Sequence, residues 1–496
     1  MKTIVRVLAL PSCALAGALA TSLSTSAAPW LPTNPRTAVP MTPNSQPRRR
    51  WLTYGLEPRE AFPAGGAKFF FSNCDDHGPG SLRDAVAAAH DGDFIFASAT
   101  LACSTITLTT GEISTAAGSL QISGPGPDRL TVGTGGQGRV FNHVGLGLLR
   151  IYGMTVSDGY ASQPSPGTKE VRGGCIFSSG SVKLGRTELS HMYRVIVENC
   201  VAVANEAGAS AKGGGVFAAK SLSLYSSRVI DNKATAQPPG LYARGGGVYS
   251  GGTFHMEYSE VSGNRAYGGT TVSRIGGVDA MGRGATSIYE SAIVNNHADR
   301  WGGAIIGSQN YGFLAIIGST ISGNTSDGET AGVYVYNTSP ADFRAHIIAS
   351  TFTANRSADS AAIAGVLVHG PVEIQSSIFS GNTSAGNPGD LKLTTDAAFG
   401  SSNLVGVSTG FAPPPDGLVQ TNDPGLGPLA NNGGPTPTHA LLPDSPAIDA
   451  GTHTFSFNLY LNYDQRGPGF PRIIGANADI GAYERDPDVI LRNGFD

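Results

Sequence analysis

A doubled motif recurs seven times between Val171 and Gly386, and it leaves few folds open to the chain. One half is a glycine pair followed by an apolar residue: GGCIF, GGGVF, GGGVY, GGVDA and GGAII, with AGVYV and AGVLV as weaker copies. The other half is Ser-x-apolar-x-x-Asn: SRVIDN, SEVSGN, SAIVNN, STISGN, STFTAN and SIFSGN. The closing asparagines are Asn199, Asn232, Asn264, Asn296, Asn324, Asn355 and Asn382, at intervals of 33, 32, 32, 28, 31 and 27 residues. Each unit is too small to bury its own inner side chains. Stacked as coils ~4.8 Å apart, the units pair every strand with those above and below. The expected fold is therefore all-β, a right-handed parallel β-helix (solenoid).

In such a stack Val229, Val261, Ile293, Ile321, Phe352 and Phe379 line up inside. The repeated asparagine tolerates a left-handed turn and can hydrogen-bond its equivalents as a ladder. Glycine pairs let the chain bend tightly between faces. With the coils before Val171 and after Gly386, about a dozen make a core ~50 to 60 Å long.

The stretches before the repeats fit the same rhythm. FIFA, TITLTT, SLQIS, RLTVG, RVF and LLRIYGMTV are brief strand-like runs between glycine turns. Ahead of them, Ser81 is placed to cap a short helix whose Leu82, Ala85, Val86 and Ala89 share one face. A capping helix is what an open stack end requires, because bare strand edges invite association.

Residues 1–28 read as a secretory signal, with Lys2 and Arg6 before the apolar VLALPSCALAGALA. Cleavage after Ala20 or Ala27 fits. Cys13 in LPSC raises a lipoprotein reading, which Pro11 and the continuing apolar run disfavour. Residues 29–67 form a proline-rich linker without sustained apolar period. The expected divisions are then 68–160 for the cap and first coils, 161–386 for the repeats, 387–485 for the last coils and C-terminal module, and 486–496 for a tail. No later segment offers the ~20 apolar residues needed to span a bilayer.

Charge narrows the partners. The formal net charge is −4, and without the leader 31 basic residues stand against 37 acidic ones. A nucleic-acid binder needs a basic face to neutralise phosphates, and only Arg48-Arg49-Arg50 in the linker is locally basic. Four cysteines follow the leader, Cys74, Cys103, Cys175 and Cys200. Three pairings are formally possible, and Cys74 with Cys103 and Cys175 with Cys200 close the shortest loops. Zinc is the weaker reading, since no CxxC or paired-His spacing accompanies them.

Several segments resemble known exported families. GGAI at Gly302 to Ile305, FTAN and FSGN resemble repeats of chlamydial-type polymorphic outer-membrane proteins. CDDHGPGSLRDAVAAA is similar to the segment opening many secreted bacterial β-helix proteins, with Gly80 and Asp84 departing from its Cys and Glu. NNGGPTPTHALLPDSPAIDAG, DQRGPGFPR and ADIGAYE resemble the choice-of-anchor Q module, and VILRNGFD is similar to a terminus of exported Gram-negative proteins. Together these imply a pectin-lyase-like fold and export to the cell surface or medium. The fold hosts enzymes, adhesins and spacers alike, so they imply little about activity. A polymorphic autotransporter would add a C-terminal barrel of alternating strands, for which the twelve residues after ADIGAYE leave no room.

Four sets of residues carry candidate chemistry. If Val216, Val248, Val278 and Val333 point inward, then Phe217, Tyr249, Asp279 and Tyr334 point outward in one column. That column would be an aromatic ribbon able to stack on sugar rings. A polysaccharide lyase would need a cation to abstract a proton α to a carboxylate, and Lys220, Asp279, Arg283 and His369 are the weak candidates in that strand series. Paired carboxylates for a hydrolase are not evident; Asp75-Asp76-His77 sits at the cap and suits a turn. His297, Asp299 and Arg300 read as a solvated inter-coil loop rather than a catalytic one.

In the C-terminal module, Asp449, Asp464, Asp479 and Glu484 surround Arg466. They could hold Ca²⁺, but no loop has the spacing of a Ca²⁺ motif. The preferred reading has Arg466 bridging Asp449 or Asp479 in a cap that seals the last coil, with no cofactor. The chain is expected to act as a monomeric, exported, adhesin-like binder of glycan or another envelope component. A carbohydrate-active enzyme and a passive spacer are the alternatives.

Overall fold

The structure, a computed structural model, describes residues 65–186, 189–237, 241–268, 275–280, 282, 284–307, 313–336, 344–394, 398–399, 402–409, 418–420, 423–455 and 459–487. The expected leader and most of the linker lie outside them.

The body is a right-handed parallel β-helix. Three long sheets run along it, sheet A with twelve strands, sheet B with twelve and sheet C with eleven, and strand order within each follows the chain. One coil shows the path. Leu222–Tyr225 lies in sheet A, Arg228–Ile230 in sheet B and Lys233–Ala236 in a narrower sheet D. Tyr242–Arg244 then adds to a three-stranded sheet E, Val248–Ser250 joins sheet C, and Phe254–Glu257 returns to sheet A opposite Leu222–Tyr225. Twelve strands at the usual spacing make sheet A about 50 Å long. Among the described residues no helix is long and apolar enough to cross a membrane.

The expected inner column is present. Val197, Val229, Val261, Ile293, Ile321, Phe352 and Phe379 occupy equivalent sites in successive strands of sheet B, all fully buried. The Phe352 and Phe379 rings stack with centroids 4.8 Å apart. At the first coil, α1 (Leu82–Ala88) buries Leu82, Ala85 and Val86, and Ser81 Oγ accepts from the Asp84 N–H at 3.1 Å. Asp76 accepts from Arg83 and from the N–H groups of Thr109 and Thr110, so the Asp75-Asp76-His77 run serves this cap. Disulfides join Cys74 to Cys103 and Cys175 to Cys200.

The asparagine ladder needs one correction. From Asn232 to Asn355, each backbone N–H and each Nδ2 donates to Oδ1 of the next coil's asparagine, and Asn382 donates likewise to Asp390 Oδ1. Asn199 is not in this column. Val201 pairs with Lys233, which sets Cys200 opposite Asn232, and the Cys200 N–H donates to Asn232 Oδ1 at 3.0 Å. Asn199 instead matches Asp231, and the left-handed conformation expected of the ladder residue falls on this preceding position, at φ 56° for Asn199 and 54° for Asp231. The turn therefore uses two residues with separate tasks, one that bends and one that bonds.

A second ladder flanks the other end of sheet B. The N–H groups of Ser227, Ser259, Ser291, Ser319 and Ser350 each donate to the next coil's serine Oγ, and Ser377 donates to Asn403. The serine of the Ser-x-apolar-x-x-Asn motif thus has a structural reason of its own.

The described contacts of the C-terminal module run along the side of the coil stack. The module packs along the outer faces of sheet B and of the adjoining strand ends of sheet A, reaching back over coils far earlier in the chain. Gln465 Oε1 accepts from Thr320 Oγ1 at 2.6 Å, His439 Nε2 meets Ser322 Oγ at 2.8 Å, and the Ala482 N–H donates to Thr351 Oγ1. Leu441, Ala447, Ile480 and Tyr483 cover Ile378 and Leu404, while Phe455 and Leu461 cover Tyr289, Ile317 and Ile348. Apolar side chains on the outer face of a coil need such a cover to leave water.

Candidate functional site

The outward column of sheet C exists in register, Phe217 beside Tyr249, Tyr249 beside Asp279, then Ile306 and Tyr334. It is not an open ribbon. Strands Glu170–Arg172, Ser210–Lys212 and Tyr242–Arg244 of sheet E set a row of cations over it. Arg172 lies 5.1 Å from the Phe217 ring centre, and Lys212 and Arg244 lie 5.1 and 5.3 Å from that of Tyr249. Phe217 is buried and Asp279 fully so, its carboxylate held by Arg244. Cation–π contacts within the protein occupy the faces that a sugar ring would stack upon. Ile306 also separates Asp279 from Tyr334, which lies near Trp301 and His369.

The lyase candidates do not converge. Asp279 and His369 belong to strands three coils apart, roughly 14 Å at the usual spacing. Lys220 is exposed in the turn before sheet A and donates to the Leu146 carbonyl. His369 Nδ1 meets Thr394 Oγ1 at 3.0 Å. Burial and then Lys392 hold its ring below the ordinary histidine pKa. Arg283 lies outside the described residues.

The arrangement with most chemical promise is elsewhere. Most coils pass from sheet A to sheet B in a two-residue turn, but the strand that ends at Leu184 is followed in sheet B only from Val195, after a 3₁₀ turn at His191–Tyr193. This loop stands beside the outer face of sheet B, where Ile196, Arg228 and Glu260 follow one another in successive coils. The docked C-terminal module supplies the opposite wall through Asn431 and the Gly434–Pro437 segment. Between them lies a groove of about 450 Å³ that is also lined by His191, Arg194, Arg228 and Glu260.

The groove's charges are unequal. Arg228 Nε donates to Glu260 Oε2 at 2.8 Å, and Ser262 Oγ donates to Glu260 Oε1 at 2.6 Å. Arg194 forms no side-chain hydrogen bond or ion pair among the described residues. Burial, then the neighbouring Arg228, lower its pKa, and Asp128 and Glu260 oppose this. Arg194 and Arg228 thus stand together in a partly dry site, and the planar fork of Arg194 suits a carboxylate or similar anion.

The five C-terminal residues expected to act together do meet, in a different pairing. Arg466 bonds Asp464 through Nε and Nη2 at 2.9 and 2.6 Å, gives Nη2 to the Glu484 carbonyl, and sits between the Phe470 and Tyr483 rings. Asp479 accepts from the N–H groups of Asp449 and Arg485, and Glu484 from those of Ile474 and Asp479. Asp464, Asp479 and Glu484 thus spend both oxygens on protein donors. Arg472, which the sequence reading passed over, lies fully buried with its Nη2 on the Asp479 carbonyl. Burial pushes the Glu484 carboxyl up to about 7. This network shapes the wall that faces Arg194.

The groove was not legible beforehand, because its halves lie over two hundred residues apart. The long spacing between Leu184 and Val195, an interruption of the repeat, was one available signal. No family model and no curated protein matches this chain. The solved structure of pectate lyase Pel9A aligns over 85% of this chain and 97% of that one, with a TM-score of 0.41 and 12% identity. A likeness of that order carries no information about chemistry.

Proposed function

We propose that the protein is an exported or surface-displayed β-helix that binds an anionic glycan in the groove between sheet B and the C-terminal module. The observation that carries this reading is Arg194, partly buried beside Arg228 and, among the described residues, with no hydrogen bond or ion pair to a carboxylate. A uronate carboxylate would complete its bonding, and neighbouring sugar units would lie along the groove. The secretory-type leader and the resemblance to surface-associated families support an envelope location and an adhesin-like role. The ion pair of Arg228 with Glu260 keeps the site from being uniformly basic, which favours a spaced anion over a polyphosphate.

The test is calorimetric titration of the full chain with acidic and neutral oligosaccharides of matched length. Acidic oligomers should bind, and Arg194→Ala should weaken binding about tenfold or more, the scale of a charge-assisted hydrogen bond. No preference for acidic oligomers, or unchanged affinity in Arg194→Ala, would remove the proposal.

An enzymatic reading has one observation in its favour. A guanidinium whose pKa is lowered by burial and a second cation is what a lyase base at this position would require. Unsaturated products released from the same oligomers, and abolished in Arg194→Lys, would establish it. If both assays are negative, a passive spacer is what remains.

A further inference from the structure

The geometry points to a divalent-metal site on sheet D, formed by His297, Asp299 and Asp327 and suited to a first-row transition ion such as Zn²⁺. His297 pairs with Thr325 across adjacent coils and Ala298 with Ser326, so Asp299 and Asp327 follow at equivalent positions one above the other. His297 Nε2 lies 3.6 Å from Asp299 Oδ1 and 3.8 Å from Asp327 Oδ2, and the three ligand atoms all fall within 4.8 Å of one another. Ligands of tetrahedral zinc at ~2.1 Å lie about 3.4 Å apart, so closing the set needs only small side-chain rotations.

The surroundings fit ligation. Two carboxylates stacked in neighbouring coils repel, and among the described residues neither is bridged by a lysine or arginine. Arg265, in the coil before His297, directs Nη1 to the Tyr267 hydroxyl instead. Asp299 Oδ2 accepts from the Gly268 N–H at 2.9 Å, which leaves Oδ1 toward the histidine. His297 Nδ1 meets Thr325 Oγ1 at 2.9 Å. When that hydroxyl accepts the Nδ1 proton, Nε2 presents its lone pair between the aspartates, the outer-shell arrangement that orients metal-bound histidines. One imidazole and two carboxylates select a borderline ion over Ca²⁺, which seeks six to eight oxygens. The ion would tie two coils and keep coordination positions open to solvent.

Titration of the chelator-washed full chain with ZnCl₂ tests this. One saturable event at one ion per chain is expected, tighter for Zn²⁺ than for Ca²⁺. His297→Gln and Asp327→Asn should each weaken it more than tenfold, and Thr325→Val by about tenfold or more. Asp327 is mostly exposed, so Asp327→Asn should fold, and thermal melts of the metal-free variants check this. Absence of saturation in the millimolar range, tighter Ca²⁺ binding, or equal Zn²⁺ affinity in His297→Gln and Asp327→Asn would overturn the assignment.

Discussion

Arg244 grips Asp279 with two parallel bonds, Nε to Oδ2 at 2.6 Å and Nη2 to Oδ1 at 2.9 Å, and the carboxylate is wholly withdrawn from water. The pair links sheet E to sheet C and closes the cation row over Phe217 and Tyr249. Asp279 is therefore a clamp residue, and the outward column is a packed layer.

Removing Arg244 takes two parallel bonds away from a buried carboxylate. Arg244→Ala should cost about 3 to 5 kcal/mol, measured by denaturant unfolding. Oligosaccharide affinity of the folded variant should stay unchanged, because Arg194 is on another face. A variant as stable as the parent would show that water already reaches Asp279.

The two-residue turn separates bending from bonding, and substitution tells them apart. Asn296→Ala strips Oδ1 from the N–H and Nδ2 of Asn264 and should destabilise by roughly 2 to 4 kcal/mol. Asn199→Gly, at a left-handed and exposed site, should be close to neutral. Chemical denaturation of both variants reads the contrast directly. Similar losses at the two sites would place Asn199 back in the ladder.

Cys200 stands at the ladder position and bonds Cys175 across a separation of 25 residues. Loop closure of that length stabilises by about 3 kcal/mol. Cys175→Ser with Cys200→Ser should lose about that much in urea melts. Cys175→Ser with Cys200→Asn should recover part of it by adding a rung beside Asn232.

The Glu484 carboxyl titrates near 7 when folded, above the 4.5 of an unperturbed glutamate. The folded state holds this proton more tightly than the unfolded chain, so the contribution to stability is full below about pH 4.5. It falls as pH rises from there to about 7. The stability difference between the parent and Glu484→Gln should move against the parent over that window. Thermal melts at pH 5 and pH 8 give the difference, and a constant gap would mean Glu484 is ionised throughout.

Periodicity made the winding legible in advance. A side chain repeated about every 30 residues in a stack must fall into a column, so Val229 to Phe379 could be assigned inward. Ser81 could likewise be read as a cap, and two disulfides as short ties between coils. These are local consequences of strand alternation, turn chemistry and loop length. Tertiary structure alone decided three other matters: a one-residue register that put Cys200 rather than Asn199 in the ladder, the sheet E cations over Phe217, and the lateral seat of the C-terminal module that creates the groove at Arg194. Each depends on which aperiodic surfaces, far apart along the chain, complement one another in shape and charge, and no repeat records that choice.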